Sequence, residues 1–334
     1  MTTNFDQKKN QDTEDEKPMS LMGFETYKGS KKRILLTGGT GFIGKRLVAV
    51  LLSLNHEVTV LSRNISASAK NVQGKLNFIT DVTEIADDCE FDVIINLAGE
   101  PLAKGRWNQK RKQAFVDSRL AVTSSVCQLV ERLKYKPEVL INGSAIGYYG
   151  PHQDEILDEK GSVVECFSHD LCRQWEQQAL AVQQQNVRVC LLRIGIVLGN
   201  DGGPLAELRL PFDYGFSMQI AKGEQWMSWI HRDDLVGIIL HLISQPNISG
   251  PINGTAPNPQ TNKAFADTLS LYLKTFARIK FPAKLLSLVV GELADEVLIT
   301  GQRVIPAKIQ SGGFMFRYPQ LSAAFEELIG PALK

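Results

Sequence analysis

The stretch LLTGGTGFIGKRL, from Leu35 to Leu47, decides the fold of this chain. An apolar run meets three glycines at a spacing of three, and an amphipathic stretch follows them, which predicts a strand, a tight turn and a helix. In such a turn the first glycine permits the bend, the second lets the backbone approach a diphosphate, and the third lets the helix pack on the strand. The helix start offers free N–H groups to an anion. The residues predicted to line this dinucleotide site are Gly38, Thr40, Gly41, Phe42, Ile43 and Gly44.

Short apolar, β-branched runs recur beyond this stretch and predict further strands. They lie at 57–62, 76–80, 91–99, 138–145 and 187–195. Amphipathic stretches at 107–133 and 164–184 have the length that a crossover helix requires. The alternation predicts an α/β fold with a Rossmann-like doubly wound parallel sheet.

The chain divides into three predicted parts. Residues 1–30 form a polar tail, expected to be disordered, because its few large apolar groups cannot offset the entropy of ordering. Residues 31–255 form the nucleotide-binding domain, with a substrate-side insertion at about 200–230, and 256–334 form a small C-terminal α/β region over the carboxyl edge of the sheet.

Composition argues against several classes of partner. Among 334 residues, Lys and Arg number 37 and Asp and Glu 36, so no net field attracts nucleic acid or an anionic membrane. No apolar run approaches the roughly 20 residues of a membrane span, and the polar N-terminus is unlike a secretory signal, which predicts a cytoplasmic protein. The five cysteines lack the spacing of a metal site or a disulfide framework, so no metal is expected.

The end of the second predicted strand indicates which dinucleotide binds. An acidic residue at this point would hold the ribose 2′-hydroxyl of NAD, but Ser62 and Arg63 stand here instead. A guanidinium can bind a 2′-phosphate through charge-assisted hydrogen bonds, so NADP(H) is the predicted cofactor. The alternative is that Arg63 is an ordinary solvated arginine.

Motifs along residues 32 to about 330 resemble the extended short-chain dehydrogenase/reductase superfamily, and in particular its atypical epimerase-like branch. They are the glycine turn, NLAGEPL, RWNQKRKQAFVDSR, GSAIGYYG, LRIGIVLG, WMSWIHRDDLVGII, NGTAPNPQTNKAFA and GQRVIPAKIQSGGFMFRYPQL. The resemblance implies that Asp81 and Val82 border the adenine and that Leu97, Ala98 and Gly99 line the path to the nicotinamide ribose. It also implies a possible homodimer through the two long helices. Ser118 and Arg119 belong to a branch motif without an assigned role, and capping and pairing within a long helix are the alternative.

The superfamily to which the motifs point uses a Ser and a Tyr-x-x-x-Lys pattern for catalysis, and the Tyr and Lys are absent here. Ser144 stands where its serine is expected, but alignment on Glu176 puts Ser168 and Cys172 at the positions of the catalytic Tyr and Lys. A nucleophilic Cys172 is less favoured than a buried, inert one. The local substitutes are Tyr148 or Tyr149, of which Tyr148 is selected, with aromatic packing as the alternative. Ser144 would polarise a carbonyl oxygen and Tyr148 would donate to it, which suits reduction better than oxidation.

Other polar residues have structural interpretations. Asp233 is expected to cap a helix start rather than to form an acid/base site with His231. His152 and Asp154 lie in a loop that either faces substrate or is merely polar. Arg193 interrupts an apolar strand, so it should be paired or point into the cleft.

Two functions follow from the sequence. The first is an NADP(H)-dependent oxidoreductase or epimerase acting on a small carbonyl or sugar-nucleotide-like molecule. The second is an NADP(H)-binding regulator or redox sensor that has lost catalysis. The missing Tyr-x-x-x-Lys pattern favours the second, and the retained GSAIGYYG segment favours the first. A protein that binds no nucleotide is the remaining alternative.

Overall fold

A seven-stranded parallel sheet organises the molecule. The structure is a computed structural model that describes residues 24, 27, 29–63, 75–102, 105–292, 294, 296 and 299–333, with only the backbone at 287, 289 and 290. The strand order is β3-β2-β1-β4-β5-β7-β12, so the chain order reverses between β1 and β4. Ligands of such folds bind outside the carboxyl ends of the strands at this reversal. The predicted Rossmann-like fold is confirmed.

The elements have the following bounds. The strands are β1 Arg33–Thr37, β2 Glu57–Leu61, β3 Leu76–Ile79, β4 Val93–Asn96, β5 Val139–Ala145, β6 Ile156–Leu157, β7 Arg188–Ile194, β8 Ile196–Leu198, β9 Phe216–Ile220, β10 Trp226–Met227, β11 Trp229–His231, β12 Gly250–Gly254, β13 Gln260–Thr261, β14 Ala277–Phe281 and β15 Arg303–Val304. The helices are α1 Phe42–Ser53, α2 Gln109–Arg132, α3 Phe167–Leu180, α4 Pro204–Asp213, α5 Arg232–Ser244, α6 Asn262–Leu269, α7 Ala283–Val290, α8 Ala307–Ser311 and α9 Leu321–Ile329. Each of the six strands and both long helices that the sequence predicts is present.

Apolar side chains cover both faces of the sheet. On one face, α1 and α5 pack on the strands around Leu47, Val50 and Leu235. On the other face, α2 and α3 pack through Val126, Leu129 and Ala179. Because both faces are buried, the central strands are mostly apolar runs without polar alternation, as in β4, where Val93, Ile94 and Ile95 are all buried.

A second core joins the predicted insertion to the C-terminal region. Leu205 and Phe212 of α4 pack with Phe265 of α6 and Phe325 of α9. Strand β9 of the insertion pairs in parallel with β14 of the C-terminal region. The two segments therefore form one packing unit beside the sheet, while the domain limits drawn from the sequence stay predictions.

Two residues of the predicted tail are anchored. Phe24 is 1% exposed in the main core, where Arg317 lies 4.0 Å and Arg46 lies 5.5 Å from its ring centroid. The Tyr27 hydroxyl donates to the carbonyl oxygen of Gly237 in α5. The other residues of 1–28 lie outside the described residues, and so does the expectation that they are disordered.

Membrane-spanning helices, metal-binding clusters and disulfides are absent from the described part of the chain. None of its helices combines the length and the apolar composition that crossing a membrane requires. It contains no group of three His, Cys, Asp or Glu residues placed to hold a metal ion. All five cysteines are free thiols.

Candidate nucleotide-binding and active site

Strand register places the candidate residues in a row along the carboxyl edge of the sheet. Thr37 of β1 pairs with Leu61 of β2 on one side and with Asn96 of β4 on the other. Asn96 pairs in turn with Asn142 of β5. Near the end of β5, Ser144 pairs with Arg193 of β7. The turns that follow β2, β1, β4 and β5 therefore open side by side.

The three glycines of the first turn are required for different reasons. Gly38 has φ +73°, and a Cβ on it would lie 2.7 Å from the carbonyl carbon of Leu97. A Cβ on Gly44 would lie 2.1 Å from the carbonyl oxygen of Gly38. Gly41 is exposed and a Cβ there would meet only that same oxygen, at 3.2 Å. Packing within the chain explains Gly38 and Gly44, whereas Gly41 leaves room on the outer side of the turn.

The start of α1 is open to an anion. Its N-cap residue, Gly41, has no side chain to cap the helix, and the first turn contains no acidic residue. Thr40 and Gly41 are exposed, and Phe42 and Ile43 are half-buried. An uncapped start with free N–H groups and no carboxylate fits a diphosphate.

The predicted adenosine side lies at the ends of β2 and β3. Arg63 is exposed two residues beyond Leu61, and Ser62 is half-buried. Asp81 is exposed, and its carboxylate accepts hydrogen bonds from the backbone N–H and hydroxyl of Thr83, which lower the pKa of Asp81. Residues 64–74, which follow Arg63, lie outside the described residues. The roles of Ser62, Arg63, Asp81 and Val82 stay predictions.

A buried polar network supports the middle of the edge. The Asn96 side chain accepts a hydrogen bond from the Thr37 hydroxyl at 2.6 Å and donates to Asn142 and Thr123 at 2.7 and 2.9 Å. The Thr37 hydroxyl also accepts the N–H of Ala98 at 3.1 Å. These bonds fix the turn Leu97–Gly99 beside the glycine turn. Sequence reasoning missed this network, although an asparagine inside an apolar strand was a usable signal.

Ser144 is hydrogen-bonded to a buried ion pair, formed by Glu176 and Arg193. Its hydroxyl donates to Oε1 of Glu176 at 2.7 Å. Arg193 donates to both oxygens of Glu176, at 2.8 and 2.9 Å, and both residues are under 5% exposed. Burial opposes the charge of Arg193, but the hydrogen bonds and charge of Glu176 raise the pKa of its guanidinium above the usual value. The prediction that Arg193 is paired is confirmed. Sequence reasoning used Glu176 only as an alignment anchor and missed its contact with Ser144.

The two adjacent tyrosines have different surroundings. Tyr149 is fully buried, donates to Asn253 at 2.7 Å and accepts from Arg193 at 3.1 Å. Burial raises the pKa of Tyr149 to about 12. Tyr148 is half-buried, and its hydroxyl makes no hydrogen bond to any described residue.

The Tyr148 ring is nevertheless held from two sides. The Arg193 guanidinium carbon lies 3.4 Å from its centroid. The ring of His169, on α3, lies 5.2 Å away, and its Nδ1 bonds to the Tyr148 carbonyl oxygen. His169 is a site residue that the sequence did not reveal. The arrangement fixes an aromatic ring while leaving its hydroxyl available.

The residues aligned with the catalytic Tyr and Lys are engaged elsewhere. Ser168 donates its N–H and hydroxyl to Glu296 of the C-terminal region, at 3.2 and 2.8 Å. Cys172 is 4% exposed, and burial raises the pKa of its thiol to about 12. The predicted burial of Cys172 is confirmed, and a thiol with this pKa is protonated at neutral pH and is a poor nucleophile, which favours the inert interpretation.

The remaining polar candidates make hydrogen bonds or ion pairs within the protein. The prediction that Asp233 caps α5 is wrong, because His231 is the N-cap and its Nδ1 accepts the N–H of Asp233. Asp233 instead pairs with both Nε and Nη2 of Arg46 at 2.7 Å. His152 bonds to Glu155, and Asp154 accepts from Trp226. These bonds favour the polar-loop interpretation of residues 152 and 154.

Comparisons with known proteins agree with this architecture. The NAD dependent epimerase/dehydratase family model matches residues 34–253, and a domain of unknown function, DUF1731, matches residues 281–328. An epimerase family protein of Staphylococcus aureus is 36% identical over 299 residues, covering 89% of this chain and 99% of the relative.

Solved structures show the same similarity. The human epimerase family protein SDR39U1, solved with NADPH, has a TM-score of 0.79 at 30% identity, over 89% of this chain and 99% of that one. A nucleoside-diphosphate sugar epimerase from Corynebacterium glutamicum has a TM-score of 0.72 at 30% identity, over 93% of this chain and 61% of that one. The resemblance seen in the sequence is confirmed: the chain belongs to the NAD-dependent epimerase/dehydratase family, whose fold binds NAD(P).

Proposed function

We propose that this protein binds NADP(H) and reduces a carbonyl group of a small substrate, with Tyr148 as the proton donor. The observation that carries the proposal is the Tyr148 hydroxyl, which is free of hydrogen bonds to the described residues although its ring is fixed by Arg193 and His169. Polar groups that a fold holds rigidly but leaves unpaired are suited to a reacting partner.

Both the structure of the site and a similar solved protein support NADP(H) as the cofactor. The open start of α1 and the uncrowded face of Gly41 suit a diphosphate, and the exposed Arg63 at the end of β2 suits a 2′-phosphate. The similar human protein was solved with NADPH. When bound, the cofactor supplies the hydride, and the Leu97–Gly99 turn lies toward the reacting end.

The proposed chemistry places a proton donor beside the carbonyl oxygen. When hydride reaches the carbonyl carbon, negative charge develops on the oxygen, and a positioned phenol stabilises it by donating a hydrogen bond and then its proton. Tyr149 does not suit this part because its hydroxyl already donates to Asn253. Tyr148 is therefore the donor in this proposal.

Ser144 can polarise a substrate oxygen only if its hydroxyl turns away from Glu176. Its hydroxyl proton is directed to Glu176 at 2.7 Å, so polarising a substrate oxygen requires the hydroxyl to rotate away. A hydrogen bond to a charged group contributes about 1.5–3 kcal/mol, which the rotation would give up. Ser144 takes part in catalysis only where the substrate offers a comparable acceptor.

A cofactor experiment tests the first half of the proposal. Thermal unfolding is measured with NADPH, with NADH and with neither, since a ligand at 100 times its Kd adds about 2.7 kcal/mol to the free energy of unfolding. We expect a larger stabilisation by NADPH, and we expect Arg63→Gln to abolish the difference. Equal stabilisation of the native chain by both cofactors would refute the preference, and no stabilisation by either would refute the proposed function.

A turnover experiment tests the second half. NADPH oxidation is followed over a panel of aldehydes, ketones and keto-sugars for the native chain, Tyr148→Phe and the matched control Tyr149→Phe. We expect Tyr148→Phe to lower kcat by about 10²- to 10⁴-fold, the usual contribution of a general acid. Tyr149→Phe should mainly lower the melting temperature. Equal activity of Tyr148→Phe and the native chain would remove Tyr148 from the mechanism.

A second candidate function is an NADP(H)-binding regulator without turnover. The engagement of Ser144 with Glu176 and of Ser168 with Glu296 favours it, because both hydroxyls are directed into the protein. Specific NADPH binding without NADPH oxidation on any panel member would support this function. The predicted homodimer and the small-molecule substrate class, carbonyl or sugar-nucleotide-like, stay predictions in either case.

A further inference from the structure

The segment formed by β14 and α7 carries large apolar side chains that the rest of the described chain leaves uncovered. Phe276, directly before β14, is 75% exposed, and Ile279 within β14 is 42% exposed. On α7, Leu285 and Leu288 are 52% and 70% exposed. A single exposed apolar side chain is ordinary, but a group of them indicates a surface that another molecule covers.

Strand β14 lies at the edge of a two-stranded sheet. It pairs in parallel with β9 and with no other described strand, and its residues 277–280 are all exposed. The ring of Phe276 is nevertheless held in place. Its centroid lies 5.0 Å from that of Phe216, and it packs against Gly215, where a Cβ would lie 2.0 Å from the ring. The exposure of this strand is therefore a feature of the packed structure.

Helix α7 is attached to the protein through Leu286. This side chain is buried and packs with Ile220 of β9 and with Ala294. Leu285 and Leu288 are three residues apart, so they share one face of the helix. Because both are exposed, the described part of the chain leaves this face of α7 uncovered.

The same segment is positively charged. Residues 268–291 contain no Asp or Glu, and their basic residues are Lys274, Arg278, Lys280 and Lys284. The three lysines are exposed and form no ion pair with a described residue, whereas Arg278 pairs with Asp267. The whole chain has a net charge of +1, so this positive charge is a local property that composition does not reveal. The four exposed apolar side chains and the three lysines are called the β14–α7 surface below.

A membrane surface fits this combination better than a protein does. A second copy of the chain would bring two positive surfaces together, and like charges that face each other are destabilising. Protruding apolar side chains bind another protein where it offers shaped pockets, whereas the interface of a bilayer accepts them in any arrangement. Anionic headgroups at the same depth attract exposed lysines.

We propose that the β14–α7 surface binds the protein to the surface of an anionic phospholipid membrane. The four apolar side chains enter the boundary between headgroups and acyl chains, and the three lysines lie among the headgroups. The chain lies on the membrane without crossing it, since none of the described helices is long and apolar enough to cross. This binding requires neither cofactor nor turnover, so it is independent of the proposed function.

Sedimentation of the full chain with vesicles tests the proposal. One set of vesicles contains phosphatidylcholine alone, and the other also contains anionic phosphatidylglycerol. We expect binding to the anionic vesicles only, and weaker binding as salt is raised, because salt screens the lysines. Leu285→Ser/Leu288→Ser should lower the partition coefficient about 10- to 100-fold, since buried leucine side chains are lost. Lys280→Gln/Lys284→Gln should lower it about 25-fold, roughly fivefold for each lysine.

A matched control changes an exposed lysine and an exposed aromatic residue elsewhere. Lys134 and Tyr135 lie in the loop between α2 and β5, and Lys134→Gln/Tyr135→Ser should keep the partition coefficient within about twofold. Because all the substituted side chains are exposed, each variant should keep the melting temperature of the native chain, which shows that it is folded.

Three results would overturn the proposal. The first is that the native chain does not bind the anionic vesicles. The second is that the control loses as much binding as the two β14–α7 variants. The third is that the native chain binds no vesicles but forms a dimer that Leu285→Ser/Leu288→Ser converts to a monomer, which would assign the surface to a second copy of the chain.

Discussion

The two halves of the candidate site are built in opposite ways. Around the glycine turn, α1 starts without a capping side chain, and a Cβ on Gly41 would meet only the Gly38 carbonyl oxygen, so the first turn is left without a side-chain partner. Around Ser144, the polar groups bond to one another: Ser144 to Glu176, Glu176 to Arg193, and Arg193 to Tyr149. Tyr148 is the exception, with its hydroxyl free of the described residues.

The difference indicates that the glycine turn serves ligand binding, whereas the groups around Ser144 serve stability. Unpaired donors at the glycine turn gain their hydrogen bonds only when a ligand arrives, so substitutions on its open face, at Gly41, should affect binding more than stability. The bonds of the second half are already made in the free protein and rigidify the edge of the sheet. Substitutions there should affect stability first.

The largest expected effect is in the second half. Glu176→Ala leaves Arg193 charged and buried without a partner, which should lower the free energy of unfolding by about 3–5 kcal/mol. Urea unfolding at pH 7 measures it. The control Asp213→Ala breaks the more exposed pair with Arg209, at 30% and 39% side-chain exposure, and should cost under about 1 kcal/mol. Equal costs for the two variants would contradict the claim that buried internal bonds hold this half.

An intermediate effect is expected from alanine substitutions in the glycine turn, where Gly44 and Gly41 should respond differently. Gly44→Ala places a Cβ 2.1 Å from the Gly38 carbonyl oxygen, and such overpacking should cost about 1–3 kcal/mol of unfolding free energy. Gly41→Ala, at φ −81°, should change stability by no more than about 0.5 kcal/mol. We nevertheless expect Gly41→Ala to weaken NADPH at least about tenfold, measured by calorimetry. Normal NADPH affinity in a folded Gly41→Ala would show that the open face is not used.

The smallest effect is a dependence on pH from Cys172. Burial raises the pKa of its thiol from 9.0 to about 12, so below pH 9 the thiol is protonated in both states and its contribution is complete. Above pH 9 the unfolded thiol ionises while the folded one does not, and stability falls by about 1.4 kcal/mol per pH unit. Urea unfolding of the native chain and Cys172→Ala from pH 8 to 10.5 should give curves of different slope. Parallel curves of unfolding free energy against pH would mean that the Cys172 thiol is not shielded from solvent.

Local pattern was sufficient for the fold. The order of strand, glycine turn and helix at 35–47 and the recurring apolar runs specify a parallel sheet, because period and turn chemistry are properties of neighbouring residues. The same reasoning expected Arg193, a charge in an apolar strand, to be paired or to point into the cleft, and the structure shows the pair with Glu176. It erred on Asp233, since the cap of α5 is His231 and the partner of Asp233 is Arg46, 187 residues away in sequence.

The sequence by itself therefore determined the sheet, the nucleotide turn and the family. Only the tertiary structure decided that Tyr149 is structural and Tyr148 is free, because the partner of the Tyr149 hydroxyl is Asn253, separated from it by 104 residues. That the buried Arg119 has no carboxylate partner among the described residues likewise became visible only in the structure, where the other buried arginines are paired. Hydrogen-bond satisfaction depends on groups that folding brings together from distant segments, and no local pattern records it.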